Sequence, residues 1–160
     1  MSRLRSVLYT AEAIVEGGRS GHGRTNDRRV DVDLDVPTEM VGAGGLGTNP
    51  EQLFAVGYAA CFQSTLIGIA AARKLDLTRT RITSRVCIGP VVGDGFGLAV
   101  SLDLEPMQLG FSEAATLMEQ AHQACPYSRA TRDNIEVTLA VGGVTIVPRD
   151  ATTSAAKRTP

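Results

Sequence analysis

This 160-residue chain contains three cysteines, Cys61, Cys87 and Cys125. Their thiols are the side chains in the sequence that are most able to react. An odd number cannot all pair within one chain, which disfavours a disulfide-stapled secreted domain and favours a reducing compartment. In that setting a cysteine either packs as a small apolar side chain or reacts as a thiolate. The surroundings of each thiol must decide between the two.

Cys61 lies in the middle of an apolar stretch without charges, residues 53–72. The preceding Thr48-Asn49-Pro50-Glu51 is typical of a helix start, with a capping side chain, an early proline and an acid at the positive dipole end. We predict a helix from there to about Lys74. The helix dipole fades beyond the first turn, so it cannot lower the pKa of Cys61. A cation must do so, and residues 17–29 carry four arginines.

Cys125 closes a second predicted helix, which Ser112 caps. Its apolar stripe is Ala114, Leu117, Met118, Ala121, His122 and Cys125. Pro126 disfavours helix at the residue before it, so Cys125 lies near the negative end, where a thiolate is disfavoured. If the two thiols form a working pair, Cys61 attacks and Cys125 resolves. A separation of 64 residues along the chain does not by itself pair them.

Cys87 differs from both, because it is out of phase with the apolar face of the strand predicted around it. That face consists of Ile82, Val86 and Ile88. We interpret Cys87 as a structural thiol that packs in the fold.

The elements that must position these thiols are two helices and five strands. The strands are predicted over residues 7–16, 30–36, 81–92, 96–104 and 135–141. The order ββ-α-ββ-α-β predicts an α+β domain with mainly antiparallel sheet. Residues 17–29 and 42–47 are predicted as glycine-rich loops. We expect one domain over residues 1–147 and a loose tail over 148–160, where no apolar pattern continues.

Composition and the N-terminal residues argue against nucleic-acid binding and against secretion. The net charge is −1 and aromatic residues make up 4%, without tryptophan, so neither a basic footprint nor a stacking surface for nucleic acid is present. The N-terminus is basic, but Glu12 interrupts before an apolar signal region forms. We therefore expect a cytoplasmic protein.

Residues 53–72 are also long enough to span a bilayer. Polar Gln63, Ser64 and Thr65 at the centre, and the lack of an aromatic belt, favour instead a helix buried on nearly all faces. One small antiparallel sheet covers only one side of such a helix. The second helix or another copy of the chain must cover the rest, which predicts a homodimer with the long helix at its centre.

Two further motifs carry weaker signals. Residues 42–47 spell the Gly-x-Gly-x-x-Gly pattern of dinucleotide sites, but no βαβ context accompanies it, and a flexible loop is the better interpretation. His122 and Cys125 are spaced to share a metal ion, yet the chain has only two histidines and a four-ligand site is hard to assemble. We expect neither a nucleotide nor a metal.

Two segments around the thiols resemble a known family. They are Thr48-Asn-Pro-Glu-Gln-Leu-Phe-Ala-Val-Gly-Tyr-Ala-Ala-Cys61-Phe62 and Ala121-His-Gln-Ala-Cys125-Pro-Tyr-Ser-Arg-Ala-Thr-Arg132. They are similar to the two cysteine motifs of the organic hydroperoxide resistance proteins, in the superfamily that includes osmotically inducible protein C. The N-terminal Tyr9-Thr-Ala and Glu16-Gly-Gly-Arg19-Ser-Gly21 also fit. The resemblance covers roughly residues 7–141.

The resemblance implies a thiol peroxidase that reduces organic hydroperoxides to alcohols. It implies an intertwined homodimer with a long buried central helix and a cysteine pair at the subunit interface. By motif position, Cys61 is the peroxidatic and Cys125 the resolving cysteine, Arg19 is the catalytic arginine and Glu51 its partner carboxylate. A lipoyl-type dithiol or lipoylated protein regenerates the enzyme, and no metal, haem or flavin is implied.

The implied roles set two expectations about geometry. Arg19 should lower the pKa of Cys61 by charge pairing. Glu51 lies about 15 Å from Cys61 along a straight helix, so it cannot touch that thiol and would orient Arg19 from its far side or from a partner subunit. From residues alone, Arg19 would be a solvated loop charge and Glu51 a dipole-favoured acid. A binding module for apolar ligands and a disulfide redox sensor are the alternative functions.

The chain departs from the family pattern in loops. The departures are residues 25–29, residues 105–108, Asp133 and the extension after Val147. We expect them to affect substrate range and loop conformation more than the chemistry.

Overall fold

A computed structural model describes residues 3–105 and 109–147. It shows the predicted α+β architecture, with mainly antiparallel sheets and one long helix. The described residues divide into two compact units, one ending at Leu53 and the other beginning at Phe54. The single domain expected over 1–147 stays a prediction, and the expected tail at 148–160 lies outside the described residues.

The first unit contains a three-stranded antiparallel sheet in the order β1-β2-β3. The strands are β1 (Ala13–Glu16), β2 (His22–Thr25) and β3 (Asp31–Asp33). The strand predicted over 7–16 forms only in its last four residues, because in the described chain no neighbouring strand pairs with residues 7–12. The loop predicted over 17–29 contains β2, whose polar residues carry no alternation; pairing on both sides makes it a strand.

Glycines make the turn between β1 and β2 possible. Gly17 and Gly18 have φ of 75° and 60°, a region that favours glycine. A Cβ at Gly21 would lie 1.8 Å from the backbone oxygen of Glu16, so no other residue fits there. A short 3-10 helix, Gly18–Ser20, occupies the turn and carries Arg19.

The glycines of residues 42–47 also serve a close approach. The backbone N–H of Gly47 donates to the Asp35 carboxylate at 2.6 Å. A Cβ on Gly45 would come within 2.2 Å of the same carboxylate. A Cβ on Gly47 would also come within 2.7 Å of this carboxylate, so packing around Asp35 accounts for one of the three glycines of the dinucleotide pattern and for the neighbouring Gly45.

The long helix α1 spans Pro50–Ala72. It begins as predicted: the Asn49 side-chain oxygen accepts the backbone N–H of Gln52 at 2.9 Å, as an N-cap does. It ends two residues before the predicted Lys74, which has a left-handed φ of 63°.

Only one side of α1 is buried in the single chain. The buried stripe is Tyr58, Phe62, Leu66 and Ala70, at a spacing of four residues. The opposite side is exposed, with Val56 at 71% exposure, so burial on nearly all faces is wrong for the single chain. Among the described residues, α1 is the one helix long and apolar enough to cross a membrane, properties that core helices of soluble proteins share.

The second unit contains a four-stranded sheet in the order β4-β5-β6-β7. The strands are β4 (Ile82–Pro90), β5 (Phe96–Leu104), β6 (Glu136–Val141) and β7 (Val144–Thr145). The β4–β5 hairpin forms as predicted, and its turn has positive φ at Gly93 and Gly95. The two-residue strand β7 was not predicted. The pairing of β6 with β5 is parallel, the exception to the otherwise antiparallel arrangement.

Two helices follow β5, where one was predicted. Helix α2 spans Phe111–Ala124 and buries the predicted apolar stripe, with His122 only partly covered. It starts before the predicted Ser112, because Gly110 occupies the N-cap and its carbonyl accepts the N–H of Ala114. The six-residue α3, Pro126–Thr131, was missed because one and a half turns give no periodic signal.

Cys87 does not pack in the core. It lies on β4 opposite Ala99 and is exposed in the described structure. The prediction of a packing thiol is therefore wrong for the single chain. The alternation of side chains along the strand already indicated this exposure. Val86 and Ile88 point inward on a pleated strand, so Cys87 between them points outward.

Candidate active site

Cys61 is at the centre of α1, between two turns of helix that supply the core. It follows the buried Tyr58 by three residues and directly precedes the buried Phe62. This position turns Cys61 partly away from the core, and its side chain is half-buried. A free thiol that is held in a packed helix and still reaches solvent is suited to react with a small molecule.

Cys125 is the hinge residue between α2 and α3. Its backbone N–H donates to the carbonyl of Ala121 and ends α2, while its carbonyl accepts the N–H of Arg129 and starts α3. Pro126 forces this break, because it lacks an N–H and restricts the residue before it to extended backbone. The Cys125 side chain is completely buried, at 0% exposure.

These two elements bring Cys61 and Cys125 together. Their sulfur atoms lie 3.6 Å apart, and both cysteines are free thiols. A disulfide has a sulfur–sulfur distance of about 2 Å, so the pair needs only a small shift to form one. Cys87, the third thiol, is free and lies exposed on β4.

Opposing influences act on the acidity of Cys61. Burial is the largest and raises the pKa of the thiol. The backbone N–H of Tyr127 acts the other way and lowers this pKa, while the neighbouring Cys125 raises it. Burial dominates within the second unit. Arg19 belongs to the first unit, and the predicted lowering of the Cys61 pKa by its charge stays a prediction.

The backbone N–H of Tyr127 was not predicted as part of the site. Tyr127 is in the first turn of α3, where backbone N–H groups have no partner within the helix and can serve another acceptor. The sequence feature that indicated the start of α3 is Pro126. Proline is typical of the first position of a helix, as well as of the end of the helix before it.

Three aromatic rings form a cluster beside the thiols. The ring centroids of Phe54 and Tyr127 are 6.1 Å apart and nearly parallel, and Tyr58 lies 5.7 Å from each. Gly57 lies under the Tyr127 ring, and a Cβ there would be 3.4 Å from the Tyr127 hydroxyl, an ordinary contact distance. The cluster gives the neighbourhood of Cys61 an apolar wall.

Arg19 and Glu51 meet in the first unit. The Arg19 guanidinium donates two hydrogen bonds to the Glu51 carboxylate, Nη1 to Oε2 at 2.9 Å and Nη2 to Oε1 at 2.6 Å. This two-point geometry is the strong form of an arginine–carboxylate pair. The hydrogen bond from Arg19 lowers the pKa of Glu51, and the same bond raises the pKa of Arg19.

The chain positions both partners through local structure. Glu51 is in the first turn of α1, fixed by the Asn49 cap, and its side chain is 13% exposed. Arg19 is carried by the glycine turn between β1 and β2 and is 37% exposed. The expected partnership of Arg19 with Glu51 therefore exists in the structure, whereas their roles in a reaction stay predictions.

His122 and Cys125, the two residues considered above as metal ligands, have different surroundings in the structure. Cys125 faces Cys61, and the buried Nδ1 of His122 has no hydrogen-bond partner among the described residues. Burial is the main cause that lowers the pKa of His122. Within residues 3–105 and 109–147, no group of three or more His, Cys, Asp or Glu side chains could hold a metal ion.

Comparison with known proteins decides the family. The model of the family described as OsmC-like protein matches residues 42–140. The organic hydroperoxide resistance protein of Xanthomonas axonopodis pv. citri is 49% identical over 140 residues, which are 87% of this chain and 98% of that protein. This chain belongs to the OsmC-like family. Its similarity to organic hydroperoxide resistance proteins extends over most of its length.

Solved structures of OsmC-like proteins agree. The crystal structure of OhrB, an organic hydroperoxide resistance protein of Bacillus subtilis, has a TM-score of 0.79 at 38% identity, covering 84% of this chain and 99% of that one. An organic hydroperoxide resistance protein from Legionella pneumophila has a TM-score of 0.80 at 44% identity, covering 85% and 98%. Fold and family predicted from the cysteine motifs are thus confirmed.

Proposed function

We propose that this chain is a thiol-dependent peroxidase that reduces organic hydroperoxides to alcohols and so protects against organic peroxide stress. The observation that carries the proposal is the 3.6 Å separation of two free thiols, one half-buried and one buried. Its membership of a family with organic hydroperoxide resistance proteins supports the choice of substrate.

The first step makes Cys61 the nucleophile, because it is the thiol of the pair that reaches solvent. Its thiolate attacks one peroxide oxygen, the O–O bond breaks, and the leaving alkoxide takes a proton to become the alcohol. The sulfur is oxidised to a sulfenic acid and the peroxide is reduced by two electrons. The aromatic cluster beside Cys61 suits an apolar peroxide better than hydrogen peroxide.

The second step uses Cys125. Its thiol attacks the sulfenic sulfur of Cys61, a disulfide forms, and the sulfenic oxygen leaves as water. A dithiol of lipoyl type, free or on a lipoylated protein, then reduces the disulfide by thiol exchange and is itself oxidised to a disulfide. The sequence of steps consumes one hydroperoxide and one dithiol per turnover, with no resident metal or organic cofactor.

Arg19 supplies the positive charge in this proposal. It lowers the pKa of Cys61, against the effect of burial, and stabilises the alkoxide as the O–O bond breaks. Glu51 orients Arg19 through the two-point ion pair from the far side of the guanidinium. This arrangement is consistent with Glu51 lying in the first turn of α1, well away from Cys61 along the helix axis.

We further propose that the protein works in the cytoplasm as an intertwined homodimer, without a membrane span or a nucleic-acid partner. The exposed apolar side of α1 supports the homodimer, because a second copy of the chain would cover it.

Steady-state peroxide consumption tests the proposal. Reduced protein is supplied with cumene hydroperoxide and excess dihydrolipoamide, and alcohol release is followed. We expect many turnovers per chain, no turnover in Cys61→Ser, and undiminished turnover in the matched variant Cys87→Ser. Equal turnover in Cys61→Ser and the unaltered chain would overturn the peroxidase. Oxidation of the thiols without repeated turnover would favour a redox sensor, and no reaction would favour an apolar-ligand-binding module.

A further inference from the structure

A buried hydrogen bond links α1 to α3 beside the thiol pair. The Tyr58 hydroxyl donates to the Ser128 hydroxyl at 2.9 Å, and the Thr131 hydroxyl lies 3.2 Å from the same Tyr58 oxygen. Tyr58 and Ser128 are both at 0% exposure. Phenylalanine in place of Tyr58 and alanine in place of Ser128 would fill the same space in this apolar core without loss of packing. The two buried hydroxyl groups therefore indicate that their hydrogen bond has a role.

The position of this bond relative to the thiols gives the reason. Tyr58 is one helical turn before Cys61 on α1, and Ser128 is three residues after Cys125. Tyr127, whose backbone N–H lowers the pKa of Cys61, directly precedes Ser128. The hydrogen bond between Tyr58 and Ser128 therefore fixes the short helix α3. The positions of the Cys125 thiol and of the Tyr127 backbone N–H both depend on this helix.

Helix α3 depends on its neighbours for its position. It has six residues, too short to be stable by itself, and Pro126 has removed one of its N–H donors. In the part of the chain that the structure describes, α3 contacts α1 through this hydroxyl network and through the stacking of Tyr127 against Phe54 and Tyr58, among other contacts. Stacking sets a distance between rings, whereas the hydrogen bond also sets the register of α3 along α1.

We propose that Tyr58 is a positioning residue: its hydroxyl, bound to Ser128, holds α3 so that Cys125 and the Tyr127 backbone N–H both face Cys61. The proposal rests on the proposed function for its purpose, since it concerns how readily Cys61 ionises and how fast it pairs with Cys125. Tyr58 touches no reacting atom in this account and acts through α3.

The test removes one hydroxyl at a time, in Tyr58→Phe and Ser128→Ala. Two controls are matched to them: Tyr9→Phe removes an exposed phenol hydroxyl, and Val100→Ala weakens the core at the buried β5 without removing a hydroxyl group. Iodoacetamide labelling across a pH series, resolved by peptide mass spectrometry, gives the ionisation midpoint of Cys61. Cys87, exposed on β4, is the internal reference in every sample.

We expect Tyr58→Phe and Ser128→Ala to raise the Cys61 midpoint by about one pH unit, the effect of losing a hydrogen bond to a charged acceptor. The Cys87 profile should not change, and Tyr9→Phe should match the unaltered chain. After one equivalent of cumene hydroperoxide, Cys61–Cys125 closure should be about 10-fold slower in both variants, as expected for a displaced reacting group.

A purely structural role predicts a different result. Tyr58→Phe and Ser128→Ala would then lose stability to urea as Val100→Ala does, yet keep the Cys61 midpoint and the closure rate of the unaltered chain. That outcome overturns the proposal. The labelling arm contains no peroxide, so it decides on Tyr58 even if the chain proves not to be a peroxidase. If one variant does not fold, the other carries the same comparison.

Discussion

The sulfur atoms of Cys61 and Cys125 lie 3.6 Å apart, although 64 residues separate the two cysteines along the chain. A long helix provides the first and a proline-induced break between two shorter helices provides the second. Cys61 is half-buried and Cys125 is buried. This asymmetry supports the proposed roles, in which Cys61 meets the oxidant first and Cys125 acts in the second step.

Replacement of the buried thiol should stop the reaction half-way. In Cys125→Ser, one equivalent of cumene hydroperoxide should still release one alcohol and leave a sulfenic acid on Cys61, because no second thiol is in reach to remove it. Trapping with dimedone and peptide mass spectrometry locates the adduct. Cys87→Ser, treated in the same way, should form no lasting adduct. A dimedone adduct on Cys125 in the unaltered chain would reverse the assigned roles.

The Arg19–Glu51 pair should be sensitive to the shape of the cation as well as to its charge. Arg19→Lys keeps the charge but loses the two-point geometry. We expect kcat/KM for cumene hydroperoxide to fall about 10- to 100-fold, which corresponds to losing hydrogen bonds worth about 1.5–3 kcal/mol. Arg24→Lys is the matched control, because Arg24 is an exposed arginine on the neighbouring strand β2. Equal losses in both variants would argue against a specific role for Arg19.

His22 should make the first unit's stability depend on pH. On the central strand β2 its ring bonds to Asp31 at 2.8 Å and Asp33 at 2.9 Å, and Glu16 lies opposite on β1. The hydrogen bond to Asp33 is the main cause that raises the pKa of His22 above 6.5. The stabilisation is therefore complete below about pH 6.5 and is lost as pH rises through the folded-state value.

The effect of His22 on stability can be measured as the difference in melting temperature between the unaltered chain and His22→Gln. The melting temperature of the unaltered chain should exceed that of His22→Gln most at pH 5.5, and the difference should shrink steadily towards pH 9. His122→Gln is the contrast, because burial lowers the pKa of that histidine. A difference for His22 that grows with pH would contradict the sign of the shift.

The exposed side of α1 should be a subunit interface. Light scattering at micromolar concentration should give twice the 16.9 kDa chain mass. Val56→Asp should shift the mass towards that of one chain, because an unpaired charge in an apolar interface is strongly unfavourable. The matched control Val92→Asp changes an exposed valine in the β4–β5 turn and should leave the mass unchanged. A monodisperse monomer in the unaltered chain would exclude the homodimer.

The sequence predicted what local signals encode. Asn49 and Pro50 mark the start of α1, the glycines around Asp94 mark a hairpin, and Pro126 marks the end of α2; all three are as predicted. These signals act over a few residues through capping, positive φ or a missing N–H. They also allowed the cysteine motifs to be placed on the correct helices.

Other features depend on contacts that no local pattern contains. Strand β2 exists because β1 and β3 pair with it, not because of its own residues His-Gly-Arg-Thr. The buried hydrogen bond between α1 and α3 joins Tyr58 and Ser128, which are 70 residues apart. The distance between the thiols and the partnership of Arg19 with Glu51 are likewise long-range. The family resemblance pointed to both pairs, whereas spacing along the chain could not.

Stoichiometric oxidation of the Cys87→Ser variant tests the central claim most directly, because only Cys61 and Cys125 then remain as thiols. The reduced protein receives one equivalent of cumene hydroperoxide, and free thiols, alcohol and intact mass are measured within the same sample. We predict loss of both thiols, release of one alcohol per chain, and a peptide pair joined through Cys61 and Cys125. Two intact thiols with the hydroperoxide unconsumed would contradict it.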